Sequence, residues 1–219
     1  NKEEFITYRN NYKRGLTSAG SWIPAYDPAD YQNDTDWMDE ISRPAPYQNY
    51  NISASSREKG FNWYTSLSFT DIRGIVLDTG SKRVAGRFNF SKDFTKWLNV
   101  GLKISTNYKK KDNTKATFSG SGYSNGAIYL SPVIGPMDDS NPFVDNGKLI
   151  NTPIASIKYE DYYTTSWSNS DVLEVVIKPF KGFTFKSQNS VNLSQSHTYH
   201  FWSNQLPKRR DEEGSDAYK

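Results

Sequence analysis

The stretch Trp97-Leu98-Asn99-Val100-Gly101-Leu102-Lys103-Ile104-Ser105-Thr106-Asn107-Tyr108-Lys109 decides the fold. It sets Leu98, Val100, Leu102, Ile104, Thr106 and Tyr108 against Trp97, Asn99, Gly101, Lys103, Ser105 and Asn107. Apolar and polar side chains alternate with period two, as in a strand with two different faces, whereas an amphipathic helix would space its apolar residues by three and four. The same alternation occurs at 61–73, where Phe61, Trp63, Thr65, Leu67 and Phe69 oppose Asn62, Tyr64, Ser66, Ser68 and Thr70. At 82–91, Val84, Gly86, Phe88 and Phe90 oppose Arg83, Ala85, Arg87 and Asn89. Segments 45–55, 170–178 and 183–195 complete six predicted strands.

Between these strands, short and long connections alternate. Ser56–Gly60, Lys92–Lys96 and Pro179–Gly182 are short, while Gly74–Ser81 and above all Lys110–Asn169 are long. In an antiparallel meander every second connection falls on the same rim, so tight turns lie at one end and extended loops at the other. Outer-membrane barrels have this asymmetry. Phe61 and Trp63, Phe88 and Phe90, and Phe183 and Phe185 all lie beside short turns, which predicts one aromatic belt at a single level, as at a membrane interface. The fold class expected is therefore all-β: an antiparallel meander forming a segment of a large transmembrane β-barrel with long extracellular loops. A soluble β-sandwich could also gather aromatic residues near one end.

Composition agrees. In 219 residues there are no cysteines, which removes disulfide scaffolds, thiol catalysis and Cys-bearing metal sites. Hydrophobic residues make up 35 %, a thin supply for an ordinary core, yet aromatics reach 15 %, unlike a disordered chain. Mean hydropathy is −0.79. No window approaches the ~18 apolar residues of a membrane helix, but barrel strands average to a hydrophilic score because every second residue is polar. The net charge of +3 comes with short basic runs, Lys109–Lys111 and Lys208–Arg210, read as rim charges and not as a nucleic-acid patch.

Segment 1–44 reads as an outer loop that starts with a short helix over Lys2–Tyr12, and 197–219 as the start of the next outer loop. Segment 45–196 holds the strands, with 110–169 as the long outer loop, its stretch Ala127–Ile134 folding inward. Arg83, Arg87 and Lys103 should face the lumen, because an Arg or Lys in mid-membrane lipid costs ~2–4 kcal/mol. His197 and His200, three apart, would point to opposite faces of a strand and are read as solvated loop residues, so no metal site is expected. The acidic cluster Asp27, Asp30, Asp34, Asp36, Asp39 and Glu40 lacks calcium-loop spacing and reads as Asx turns. Gly120, Gly122 and Gly126 do not make a phosphate loop, and no nucleophile elbow is present.

From Asn33 the chain resembles a known family. Asn33-Asp34-Thr35-Asp36-Trp37-Met38-Asp39-Glu40-Ile41 and Gln48-Asn49-Tyr50-Asn51-Ile52-Ser53 are similar to the "NTDW-DE" segment and following strand of the SusC/RagA family of TonB-linked outer-membrane transporters. Tyr64–Leu67, Gly74–Val76, Arg83, Gly86–Asn89 and Trp97–Leu102 continue the likeness in order, with Ser55-Ser56 standing where the family carries a Gly pair in the first short turn. The resemblance covers about 30–110 and implies a central piece of a barrel of about 22 strands around a plug. Plug, TonB box and signal peptide would lie outside the chain.

It further implies TonB-driven import of glycan or peptide-derived nutrient at the outer membrane of a Gram-negative bacterium. The partners implied are a SusD-like surface lipoprotein, the TonB complex and outer-membrane lipid. No cofactor, nucleic acid or covalent chemistry is expected. Substrate contact is expected from Trp37, Asp36 and Tyr123, with aromatic faces stacking on sugar rings; plain loop packing is the other role open to Trp37. The rival readings are a soluble all-β carbohydrate-binding module and a passive porin.

Overall fold

The computed structural model describes residues 1–16, 26–114, 116, 126–136, 152–206 and 217–218. Six long strands, β1 (Tyr47–Glu58), β2 (Phe61–Arg73), β3 (Gly80–Asp93), β4 (Leu98–Asp112), β5 (Glu160–Ile177) and β6 (Phe185–Trp202), form one antiparallel sheet in chain order. A two-residue β7 (Ala217–Tyr218) pairs with the end of β6. Among the described residues the α-helices α1 (Lys2–Leu16) and α2 (Trp37–Glu40) precede β1, and α3 (Pro153–Tyr159) precedes β5.

The meander is as expected, but several boundaries move. The first turn is Lys59-Gly60, with φ of 44° and 76°, a two-residue hairpin of positive φ that matches strand twist. Ser55 and Ser56 therefore sit inside β1, not in the turn. The helix α1 runs past Tyr12 to Leu16. The expected fifth strand at 170 begins already at Glu160, which shortens the long loop, and β6 continues to Trp202, so 197–202 is strand and not loop.

Register shows what the alternation achieves. One lateral row joins Trp63, Phe90, Leu102 and Leu173; a second joins Phe69, Val84, Tyr108 and Trp167. Leu67, Phe69, Val84, Phe88, Phe90, Leu102, Tyr108, Trp167, Leu173, Val191 and Leu193 all lie on this face and all are exposed. The opposite, concave face carries Ser66, Ser68, Thr70, Ser105, Asn107, Ser168, Ser170, Asn192 and Ser194. Among the described residues, the buried hydrophobic side chains (Ile6, Trp37, Ile41, Ala116, Ala127, Leu130, Val133, Ile134, Ala155 and Leu206) lie outside the six long strands. The sheet has its apolar side outward and no core against it, the reverse of a water-soluble sheet.

The apolar band has two aromatic borders. Near the short turns are Phe61, Trp63, Phe88, Phe90 and Phe185, with the rings of Phe61 and Phe90 6.4 Å apart. Phe183 packs on Phe180 in the last short turn, 5.4 Å between rings. Toward the long loops a second border holds Tyr50, Phe69, Tyr108 and Trp167, with Tyr50 stacked on Phe69 at 6.4 Å. From Phe61 to Phe69 the strand advances about 27 Å at ~3.3–3.4 Å per residue. A tilt of ~35–45° makes that about 20 Å along the membrane normal, close to the ~25 Å apolar band of outer-membrane barrels. Beyond the second border the outer row turns charged: Asp71, Lys82 and Lys110. On β5 the band is interrupted by Asp171, whose Oδ2 accepts from Asn169 Nδ2 at 2.7 Å.

Leu102→Arg is expected to destabilise the bilayer-inserted barrel by ~2–4 kcal/mol, and Asn192→Arg, on the concave face, by far less. Heat-modifiable mobility on gels of the two reconstituted variants checks this; equal losses would contradict the assigned sidedness.

Candidate functional site

The concave face forms a trough of about 820 Å³. Its floor is hydroxyl and amide, and its charges come from few positions because each strand contributes only alternate residues. Arg83, Arg87 and Lys103 all lie on this face. Arg83 Nε donates to Asn107 Oδ1 at 2.5 Å, and Asn107 Nδ2 donates to Ser168 Oγ at 3.2 Å. Closer to the short turns, Glu174 pairs with Lys186 at 2.9 Å and with Lys103 at 3.9 Å. The run Lys109–Lys111 is split by the alternation: Lys109 and Lys111 are on the concave face. Lys110 points outward, to Asp112 at 3.4 Å and over the Tyr163 ring at 4.5 Å.

At the long-loop rim the connections fold into a shelf. Asp36 caps α2, its Oδ1 accepting from the amides of Met38 and Asp39, and so presents Trp37 to the interior. Trp37 is 3 % exposed and packs with Ile41, Ala127, Leu130 and Ile134, with Ile154 and Ile157 alongside. Its Nε1 donates to Ser131 O at 3.0 Å, while Thr35 N donates to Pro132 O at 2.8 Å and Thr35 Oγ1 to Ile134 O at 2.7 Å. Thr152 caps α3 and donates to Pro136 O at 3.0 Å. Arg43 then ties the shelf to the β2–β3 loop, with its side chain on Gly74 O (3.2 Å) and Thr79 O (2.9 Å) and its amide on Ile75 O (2.9 Å). Ser42 bridges Val76 on the same seam.

Of the two roles open to Trp37 from sequence, this placement gives it loop packing. Its ring is enclosed by the loop cluster and serves packing, so no face is open for stacking on a sugar. Asp36 is spent on its helix cap. Tyr123 lies outside the described residues, as do Gly120, Gly122 and Lys208–Arg210. In the acidic segment Asp27 accepts from Ala29 N at 2.9 Å, and Asp34 from Lys2 N at 2.6 Å. Among the described residues no three His, Cys, Asp or Glu side chains gather around one point.

The histidines are strand residues, which corrects their reading as solvated loop. His197 pairs with Thr165 and His200 with Tyr162, on opposite faces. His200 is buried, with Nε2 3.0 Å from Glu160 Oε2 and its ring 4.3 Å from that of Tyr162. Sequence reading missed this box and the second aromatic border. The border was visible as Tyr50, Phe69 and Tyr108 within apolar rows, but only the register aligns them.

An antiparallel wall that is apolar outside, polar inside and bordered by two aromatic levels is a segment of a transmembrane β-barrel. No protein-family model matches the chain. TonB-dependent receptor P26 of Formosa agariphila is 26 % identical over 208 residues, 93 % of this chain and 20 % of that protein. TonB-dependent receptor SusC of Bacteroides thetaiotaomicron is 26 % identical over 180 residues, 80 % of this chain and 17 % of SusC. Among solved structures, a chain of the RagAB peptide importer in the "closed-closed" state superposes with a TM-score of 0.68 at 23 % identity, covering 80 % of this chain and 20 % of that one. A chain of the RagAB peptide transporter gives 0.67 at 22 % identity, covering 94 % and 23 %. At those identities the structural likeness speaks to fold. The chain thus matches, in sequence and in fold, a barrel segment of the TonB-dependent receptors of SusC/RagA type, and it spans about a fifth of the length of the curated relatives it matches.

Two outcomes follow from the shelf. Trp37→Ala removes a fully packed indole and its hydrogen bond, a loss of ~3–5 kcal/mol at the cluster. Hydrogen exchange should speed up in 131–134 and 35–41 while the strands keep their protection. Asp78, at φ 56° in the β2–β3 loop, has its carboxyl raised above the usual range by burial and by Asp112 and Asp161, against the pull of Arg43 and Lys110. A raised folded-state pKa adds stability below the ordinary carboxylate value and loses it as pH rises through the folded value. Asp78→Asn, which tolerates the same backbone conformation, should therefore raise the melting midpoint at neutral pH. The gain should shrink toward zero as the pH falls below the ordinary Asp value of about 3.9.

Proposed function

We propose that the chain is part of the wall of a TonB-dependent importer in the outer membrane of a Gram-negative bacterium, taking up oligomeric nutrient, glycan or peptide. The observation that carries the reading is the reversed sidedness of the sheet. An exposed apolar band between two aromatic levels needs lipid, and a polar concave face needs water or a hydrated occupant. A soluble carbohydrate-binding module would have to leave that band in water, where contiguous apolar patches of this extent drive association.

In this reading the concave face lines the lumen, opposite a plug coupled to TonB, and the shelf stands where substrate arrives. A SusD-like surface lipoprotein would close over that side. The wall performs no covalent chemistry; it excludes lipid, holds the plug and presents hydrogen-bonding groups along the passage. RagAB is a peptide importer, and peptide and glycan alike suit a trough of hydroxyls and amides.

Single cysteines replacing Lys92, beside a short turn, and Asn113, beyond β4, test the orientation in the full-length receptor. An impermeant maleimide should label intact cells at Asn113 and not at Lys92. Equal labelling of both in a soluble fraction would overturn the reading in favour of a binding module, and uptake that persists without TonB would favour a passive pore.

A further inference from the structure

Arg83 and Lys109 are direct cross-strand partners on the concave face. Side chains so placed have their Cβ atoms about 5 Å apart, and like charges there repel. Lys111 follows one step along the same face, opposite Ser81, and Arg87 lies two steps the other way, opposite Ser105. The flanking concave positions are neutral: Asn49 and Thr70 on one side of the pair, Ser166 on the other, with Ser68, Ala85 and Ser168 in the next row. Among the described residues no carboxylate comes within 4 Å of Arg83, Arg87, Lys109 or Lys111.

Two comparisons within the wall show that this is not the sheet's ordinary handling of charge. On the outer face Lys82 is likewise opposite Lys110, but Asp71 is the cross-strand neighbour of Lys82 and Asp112 lies 3.4 Å from Lys110. Lower on the concave face, Lys103 and Lys186 share Glu174. The Arg83–Lys109 group has no acid among its cross-strand neighbours, and it sits at the level of the second aromatic border, toward the rim that carries the shelf. Asn107 holds Arg83 by Nε, which leaves the terminal guanidinium nitrogens directed by a fixed partner yet unspent.

We infer that Arg83 and Lys109, supported by Arg87 and Lys111, form a subsite for an anionic group, a carboxylate or sulfate ester, on the transported oligomer. The inference rests on the import reading and names its substrate class. Arginine matches planar and tetrahedral oxyanions through paired hydrogen bonds, and lysine adds a point charge. The outer position favours an arriving ligand over the plug, because the charges nearer the short turns are already matched within the wall.

The test uses the purified full-length receptor in detergent and matched probes: short oligogalacturonate against its methyl ester, a sulfated dextran oligomer against dextran, and oligoglutamate against oligoglutamine. At least one anionic probe should bind about tenfold more tightly than its neutral counterpart. The Arg83→Gln/Lys109→Gln double variant should erase that preference with neutral binding unchanged, and Arg83→Lys/Lys109→Arg should keep most of it. With repulsion relieved, the Gln variant should melt at the same temperature or higher. Absence of preference in every pair, or preference that survives the double variant, overturns the subsite. A lowered melting midpoint without loss of anion preference also overturns it and assigns the charges to an acidic face of the protein itself.

Should the double variant not fold, the wild-type preference decides: it must weaken between about 50 and about 500 mM NaCl, and a salt-independent preference overturns the proposal. Binding and TonB-dependent uptake are separate readouts. Absence of anion preference in the wild-type receptor with TonB-dependent uptake intact sinks the subsite alone; TonB-independent uptake sinks the import reading alone.

Discussion

Everything in this molecule depends on one constraint: a backbone in lipid must satisfy its own hydrogen bonds, and each strand residue must then choose between lipid and lumen. The ladders from β1 to β6 meet the first demand along the whole wall. Strict alternation meets the second, so that Leu102 and Lys103, adjacent in sequence, belong to different solvents. Because the apolar row is turned outward, the sheet has no core of its own. The buried apolar side chains that do exist assemble in the connections, beyond the membrane band, where water restores the usual hydrophobic effect.

That division explains how much could be read from sequence. Period two was plain in β2, β3 and β4 because lipid enforces it there. It fails in Glu160–Asn169, where Tyr162, Thr164 and Ser166 alternate with Tyr163, Thr165 and Trp167 and both faces are polar or aromatic. This part of β5 lies at and beyond the outer aromatic border, so no lipid demands an apolar row, and the strand goes unrecognised until Glu160 and Trp202 are seen paired. The His197–Trp202 end of β6 was hidden for the same reason. Turn chemistry was equally deceptive at Ser55-Ser56, since β1 simply continues to a Lys59-Gly60 hairpin.

Among site residues, facing was legible and contact was not. Parity alone places Arg83, Arg87 and Lys103 on one face. The fate of Trp37 depended on Ser131 and Ile134, about a hundred residues away, in a segment whose only sequence signal was a short apolar run. A tryptophan beside a helix-capping Asp is as well suited to anchoring a loop as to meeting a ligand; the indole N–H resolves the matter, since a buried Trp requires an acceptor and Ser131 O supplies one.

The shelf is therefore as much a designed part as the wall. Long connections ordinarily follow their strand ends, yet here residues upstream of β1 and those between β4 and β5 share a hydrophobic cluster, and Arg43 fastens both to the β2–β3 loop through three carbonyls. These carbonyls lie in the loop that joins β2 to β3, and that of Thr79 accepts from Gly74 N as well. One guanidinium and one amide thus make the β2–β3 loop the footing of the shelf, and the shelf inherits the rigidity of the barrel rim. Polar groups of the trough and loops of the shelf then keep a constant relation.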